Sequence, residues 1–239
     1  MITSILDFIS YYWLAIILTG AVAYLIGSIN FAILVTEHYE HADIRSQGSG
    51  NAGMTNVMRS VGKKAGIITF VGDVVKGAVA VMAGFLIFWL FTGEDIVGTN
   101  RTAICFLGAY IAGVFDILGH MFPAYFQFKG GKGVATSVGI MAIVDWRACL
   151  IVIAVFLIVV LLTKYISAGS VLGAITFPIA IFFLNRGSQY AEVNEFYLTV
   201  MTVTAAIIAA LVVFKHTPNI KRLISGTESK FTIKGEKKK

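Results

Sequence analysis

The chain has 239 residues, 57% of them hydrophobic and only 13% charged, with a mean hydropathy of +0.83. That balance excludes an ordinary water-soluble domain and an intrinsically disordered chain, both of which carry far more charge. A net charge of +6 would suit nucleic acid, but the basic residues are dispersed over short loops and a C-terminal run, so they read as topology signals and no nucleic-acid partner is expected.

In chain order, residues 1–12 contain no Lys or Arg and so lack the basic start of a cleaved signal peptide, which places the N-terminus outside. The apolar pattern predicts a first span over 12–36 and a second over 67–91. The second carries Asp73 and Lys76 one turn apart, able to neutralise each other on one face. After the turn at 92–100, a third span over 102–121 carries Asp116 and His120 at i, i+4, a spacing at which a structural pair could form, and the role of Asp116 is left open. A short helix follows over 134–144, too short to cross a bilayer unless the bilayer thins. Further spans are predicted over 148–163, 168–184 and 196–214. Cys105 and Cys149 sit in or beside these apolar runs, so neither a disulfide framework nor a metal cluster is expected.

The prediction is an all-α polytopic integral membrane protein, a seven-helix bundle with a five-span alternative. One domain over 1–226 is followed by a basic tail over 227–239, frayed or resting on anionic headgroups. With the N-terminus outside, only Arg101, Arg147 and Arg186 of the 19 Lys and Arg fall on the outer side. Either span count leaves three polar stretches on the cytoplasmic face.

The first, DIRSQGSGNAGMTNVMR at 43–59, is punctuated by glycines and rich in hydroxyl and amide donors. Arg45 and Arg59 flank it, and both are read as facing an anion. The second, FKGGKGVATS at 128–137, resembles a nucleotide-binding P-loop without being one, because Phe126 and Gly133 stand where that motif requires Gly and Ser or Thr. It keeps phosphate chemistry: Gly130, Gly131 and Gly133 allow close backbone approach, Lys132 supplies a charge, and the helix opening at Val134 offers its N-terminal amides. The third, HTPNIKRLISGTE at 216–228, gathers His216, Lys221 and Arg222. Together they hold donors for two phosphate groups at one membrane surface, which suggests a lipid-linked phosphate meeting a soluble one.

GSGNAGMTNVMR (48–59), GGKGVAT (130–136) and HTPNIKRLISGTE resemble the three motifs of the bacterial acyl-phosphate:glycerol-3-phosphate acyltransferase family, also called PlsY. The likeness extends to GSINFA (27–32), GDVVKG (72–77) and GHMFP (119–123). Ala52 and Met54 depart from the usual Pro and Ala without removing a phosphate donor. The resemblance implies transfer of a fatty acyl group from acyl phosphate to the 1-hydroxyl of glycerol 3-phosphate, giving lysophosphatidic acid and inorganic phosphate. It implies the bacterial inner membrane, a monomer, contact with membrane lipid, no cofactor and no metal. Carried onto these positions, it assigns Ser49, Gly50, Gly131 and Thr136, with Gly133, to a phosphate hole for the donor. Arg59, Lys132 and Asn219 would hold glycerol 3-phosphate, with Lys132, Arg59 and His216 as the catalytic set. His216 would act as general base or as a hydrogen-bond donor to phosphate. Asn51 and Thr55 join the binding loop and, with Asn56, Arg222 and Glu228, hold the loops together. Ser170 would contact substrate.

His38 and Asp43 form H-x-x-x-x-D, the catalytic pair of a thioester-using acyltransferase class, but a spacing match of two residues is common by chance. A surface ion cluster with Glu37, Glu40 and His41 is the preferred reading there, and a supporting role is preferred for His120. The competing functions are a transporter of a phosphorylated or lipid substrate, and a non-catalytic scaffold. The first predicts polar groups spread through several spans, and the second leaves the glycine-rich motifs unexplained.

Overall fold

The computed structural model describes residues 5–93, 99–187 and 195–231. Parts of two sequence readings, the turn at 92–100 and the Lys-rich tail, fall on residues 94–98 and 232–239, outside the described ones. Among the described residues the regular structure is entirely helical. The helices are α1 Ile5–Gly27, α2 Phe31–Glu40, α3 Met54–Ser60, α4 Lys63–Phe91, α5 Thr99–Met121, α6 Val134–Val144, α7 Trp146–Thr163, α8 Ile166–Asn185, α9 Glu195–Lys215 and α10 Thr217–Ile224.

Six segments are long and apolar enough to cross a membrane: Ile5–Glu40, Lys63–Phe91, Arg101–Phe126, Trp146–Thr163, Ile166–Asn185 and Glu195–Lys215. The apolar α6 is shorter, with 11 residues as its sequence pattern predicts. Helices α1, α4 and α5 pack on one another, α6 lies on α4, and α9 joins α5 to the α7–α8 pair. The interior they enclose includes Ile104, Leu107, Tyr110, Ile140, Phe177 and Ile208. Leu90, Leu161, Leu162 and Phe183 stay exposed on the outside of the bundle, as expected where lipid rather than protein supplies the contact.

The first predicted span is not one continuous helix. It begins at Ile5 and breaks over residues 28–30 before α2. The break is chemically held: Asn30 Oδ1 accepts the Ile33 N–H at 3.2 Å and caps α2. On the other side, the freed carbonyls of Gly27 and Ile29 accept protons from Lys76 Nζ at 3.1 and 2.7 Å. An apolar count cannot see this, because Ser28 and Asn30 are two short polar residues inside an apolar run.

Helices α2 and α3, the connection between them and the start of α4 build a second small core of Ala32, Ile33, Val35, Ile44, Ala52, Val57 and Ala65, with Phe126 against it. This cap covers one end of the bundle and carries the first polar stretch. At the opposite end, Asp145 accepts the Arg147 N–H at 3.0 Å, capping α7, and bonds Asn185 Nδ2 at 3.0 Å. That tie places the far ends of α6 and α8 together, yet α8 has 20 residues to the 11 of α6. At 1.5 Å per residue, α6 is therefore shorter than α8 by roughly 13 Å along its axis. Close packing on α4 holds α6 in place: a Cβ on Gly139 would collide with the Val74 carbonyl, and one on Gly77 with the Thr136 carbonyl.

Candidate active site

The first polar stretch is organised by one buried amide. Asn56, on α3, accepts the Ser49 N–H through Oδ1 at 2.9 Å and donates through Nδ2 to the carbonyls of Gln47 at 2.9 Å and Ile44 at 3.3 Å. Its three bonds close the loop and leave Ser49 and Gly50 exposed at the tip. Asn51 and Thr55 are half-buried, and Arg59 stands exposed on the last turn of α3. Among the described residues, Arg59 has no hydrogen-bond or ion-pair partner.

The second stretch lies against the first. Gly131 has no room for a side chain, because a Cβ there would collide with both His120 Nε2 and the Ala52 carbonyl. Its N–H donates to the His120 carbonyl at 3.1 Å, and that of Gly130 to the Met121 carbonyl at 3.2 Å, pinning the loop onto the end of α5. From there the chain enters α6, whose first turn leaves backbone N–H groups without helical acceptors. In that turn the fully buried Thr136 hydroxyl has no partner among the described residues. First-turn amides, an unbonded hydroxyl and the adjoining Lys132 ammonium make a cradle for an anion.

The third stretch closes over the second. Lys132 Nζ donates to Asn219 Oδ1 at 2.5 Å, Asn219 Nδ2 donates to Glu228 Oε1 at 2.7 Å, and Ser167 Oγ on α8 donates to the same oxygen at 2.9 Å. Arg222 Nε takes the other Glu228 oxygen at 2.6 Å. Burial pushes the Glu228 carboxyl up, but the bonds from Asn219, Arg222 and Ser167 outweigh it and hold the group below the usual carboxylate range. Burial lowers Lys132 to about 8, with Arg222 acting in the same direction and Glu228 against it. His216 is lowered to about 4, by burial first and then by the Lys132 charge, so its imidazole is neutral near pH 7. Its Nδ1–H donates to the Val212 carbonyl at 2.8 Å, which leaves Nε2 as an acceptor with no partner among the described residues.

The sequence profile of the glycerol-3-phosphate acyltransferases matches residues 17–226, which is most of the chain. The chain belongs to the glycerol-3-phosphate acyltransferase family. It is 41% identical to the glycerol-3-phosphate acyltransferase of Thermoanaerobacter sp. (strain X514), over 92% of this chain and 98% of that one. With that of Clostridioides difficile (strain 630) it shares 40% identity, over 92% and 97%. The fold is similar to a crystal structure of PlsY (YgiH), an integral membrane glycerol 3-phosphate acyltransferase, in its glycerol 3-phosphate form. That likeness has a TM-score of 0.74 and 32% identity over 91% of this chain and 96% of the other. The lysophosphatidic acid form of PlsY matches at a TM-score of 0.72 and 31% identity, over 91% and 95%.

This acyltransferase is thus an integral membrane enzyme of lipid biosynthesis, and its three polar stretches meet at one end of the bundle. Lys132, Asn219, Gly131, Gly133, Thr136 and His216 lie in or beside the cradle. Ser170 is buried one turn above Ser167 and, among the described residues, bonds only the Ile166 carbonyl of its own helix. Two sequence readings, of Arg45 and of His38, are corrected, and the open question of Asp116 and His120 is answered. Arg45 does not face an anion: its guanidinium is spent on Asp43 at 2.6 Å and on the carbonyls of Phe126 and Lys129, stapling the first stretch to the second. Asp116 and His120 are not bonded to each other, because Lys76 takes His120, and neither Asp116 oxygen has a partner among the described residues. The predicted ion cluster around His38 reduces, among the described residues, to the Asp43–Arg45 pair, with His38 packed edge-on to Tyr39. Ser167 was missed altogether. Its signal was a small hydroxyl at the start of α8, which only the fold brings to Glu228. Among the described residues, no cluster of three or more His, Cys, Asp and Glu side chains is arranged to hold a metal.

Proposed function

We propose that the acyltransferase takes its acyl group from a fatty acyl phosphate and delivers it to the 1-hydroxyl of glycerol 3-phosphate, giving lysophosphatidic acid and inorganic phosphate. The observation that carries this reading is the set of donors gathered at the start of α6, where the first-turn amides and the unbonded Thr136 hydroxyl follow directly on Lys132, a combination suited to a phosphate. Ser49, Gly50, Gly131, Gly133 and Thr136 receive the donor phosphate, with Asn51 and Thr55 lining the approach. Arg59, Lys132 and Asn219 hold glycerol 3-phosphate, and Ser170 stands near the donor. The excess of Lys and Arg on one side supports an N-terminus outside, a site facing the cytoplasm and α6 as a seventh, thinned crossing of the bacterial inner membrane. A single copy carries all of these groups, which supports a monomer.

An acyl phosphate is a mixed anhydride with a good leaving group, so no covalent enzyme intermediate is needed. The 1-hydroxyl oxygen of glycerol 3-phosphate bonds to the acyl carbon, the carbonyl electrons move onto oxygen, and their return breaks the bond to the phosphate oxygen. His216 Nε2, bare and neutral, accepts the hydroxyl hydrogen bond and aims it. A group lowered to about 4 is a poor proton sink, so the proton passes to a phosphate oxygen of the donor.

The test is phosphate release by the purified, detergent-solubilised chain given an acyl phosphate, with and without glycerol 3-phosphate. Release that requires glycerol 3-phosphate and equals lysophosphatidic acid formation is the expected result. No product from a folded sample, together with substrate uptake in vesicles, would replace the reading with transport.

A further inference from the structure

Beneath the cradle lies a buried polar group that the reaction as described does not use. Lys76 Nζ contacts the carbonyls of Gly27 and Ile29, and lies 2.9 Å from His120 Nδ1 and 3.0 Å from Asp73 Oδ1. The Asp73 carboxylate forms an ion pair with this ammonium, and the same Oδ1 lies 3.6 Å from His120 Nδ1. At 2.9 Å, one proton must lie between Nζ and Nδ1. An ammonium cannot accept, so Nδ1 must, and the imidazole proton sits on Nε2. This is the tautomer opposite to that of His216. Nε2 is the atom that leaves no space for a side chain on Gly131, and among the described residues it has no hydrogen-bond partner. The His120 carbonyl meanwhile holds the Gly131 N–H.

We propose that Lys76 and His120 are positioning residues for acyl transfer: Lys76 holds the imidazole upright as the floor on which Gly131 rests. The height of that floor sets the spacing between the Gly131–Lys132 backbone, the first turn of α6 and the Ala52 loop. Asp73 balances the lysine charge, and the Gly27 and Ile29 carbonyls lock its position to the break between α1 and α2. The proposal rests on the acyl phosphate reading for its kinetic test alone.

The experiment compares Lys76→Met, His120→Asn and His120→Gln in the full chain, by steady-state kinetics with acyl phosphate and glycerol 3-phosphate and by thermal melting. Asn can still accept from Lys76 but cannot reach Gly131, whereas the Gln amide can reach the place of Nε2. His120→Asn and Lys76→Met are expected to lose about a hundred-fold in kcat, the scale of an ångström of misplacement, and His120→Gln to recover part of it. In parallel, 15N NMR of histidine-labelled wild type should show His120 protonated on Nε2, assigned by its loss in His120→Gln, and Lys76→Met should abolish that preference. Wild-type kcat in folded His120→Asn and Lys76→Met, equal impairment of Asn and Gln, or a proton on Nδ1 would each overturn the proposal. An inactive wild type would refute the donor and leave the tautomer measurement to decide. A variant that fails to melt cooperatively would shift the decision to the wild-type spectrum in the same way.

Discussion

Lys132 is the group whose titration most directly reports the site. It lies outside the membrane-spanning segments, half-buried, and falls from the ordinary 10.5 to about 8 because burial disfavours its charge. The sign follows from the two values. With the folded value below the unfolded one, the charged lysine costs the substrate-free fold stability below about pH 8. That cost, roughly 3 kcal/mol, fades as pH rises from the folded towards the unfolded value. A bound phosphate dianion opposes the loss of the proton. The kcat/KM for glycerol 3-phosphate, which reports the free enzyme, should therefore be level below pH 8 and fall about tenfold per pH unit well above it. Phosphate release measured from pH 6 to 10 gives the profile. Lys132→Arg keeps a charge that does not titrate in this range, at some cost in rate from its different geometry, so the alkaline fall should vanish. If Lys132→Arg shows the same fall near pH 8, another group titrates there and Lys132 is not the required cation.

Arg59→Ala should lower kcat/KM for glycerol 3-phosphate about ten- to a hundred-fold, as for one lost charge-assisted bond, with an unchanged melting temperature because no hydrogen bond or ion pair among the described residues is removed. Wild-type kinetics would release Arg59 from the substrate. Glu228→Ala frees the Asn219 amide to turn away from Lys132 and cuts the tie to Ser167, so kcat/KM should fall at least about tenfold with some loss of stability. Stability loss alone would make Glu228 purely a loop anchor. Asp145→Ala removes the α7 cap and the Asn185 tie, each worth about 1 kcal/mol, which for a chain of this size lowers the melting temperature by about 5 °C. Its kcat at low temperature should be unchanged, and a matching fall in kcat would mean that the far end of α6 governs the cradle.

The parts of the fold that depend on local pattern were legible in the sequence. The bounds of α6, the apolar helices and the three donor-rich stretches each follow from residues adjacent in the chain. What escaped were pairings set by three-dimensional approach. Arg45 looks like an anion ligand until the second loop offers it two carbonyls, and the i, i+4 spacing of Asp116 and His120 says nothing of Lys76, which α4 brings to the imidazole. The break at residues 28–30 was hidden for the same reason, since the ammonium that receives its loose carbonyls lies almost fifty residues away. Resemblance supplied roles that pattern alone could not, such as that of Asn219, which stands out neither by charge nor by periodicity.

The shortness of α6 makes the proposed reaction sensitive to the thickness of the surrounding lipid. On the acyl phosphate reading, a helix roughly 13 Å shorter than its neighbour α8 lets the donor phosphate tip down to its start while the acyl tail stays among the lipid chains. On that reading the donor is selected by depth as much as by shape. A thicker bilayer, which lifts the headgroup plane away from that floor, would slow the reaction without any change in the protein.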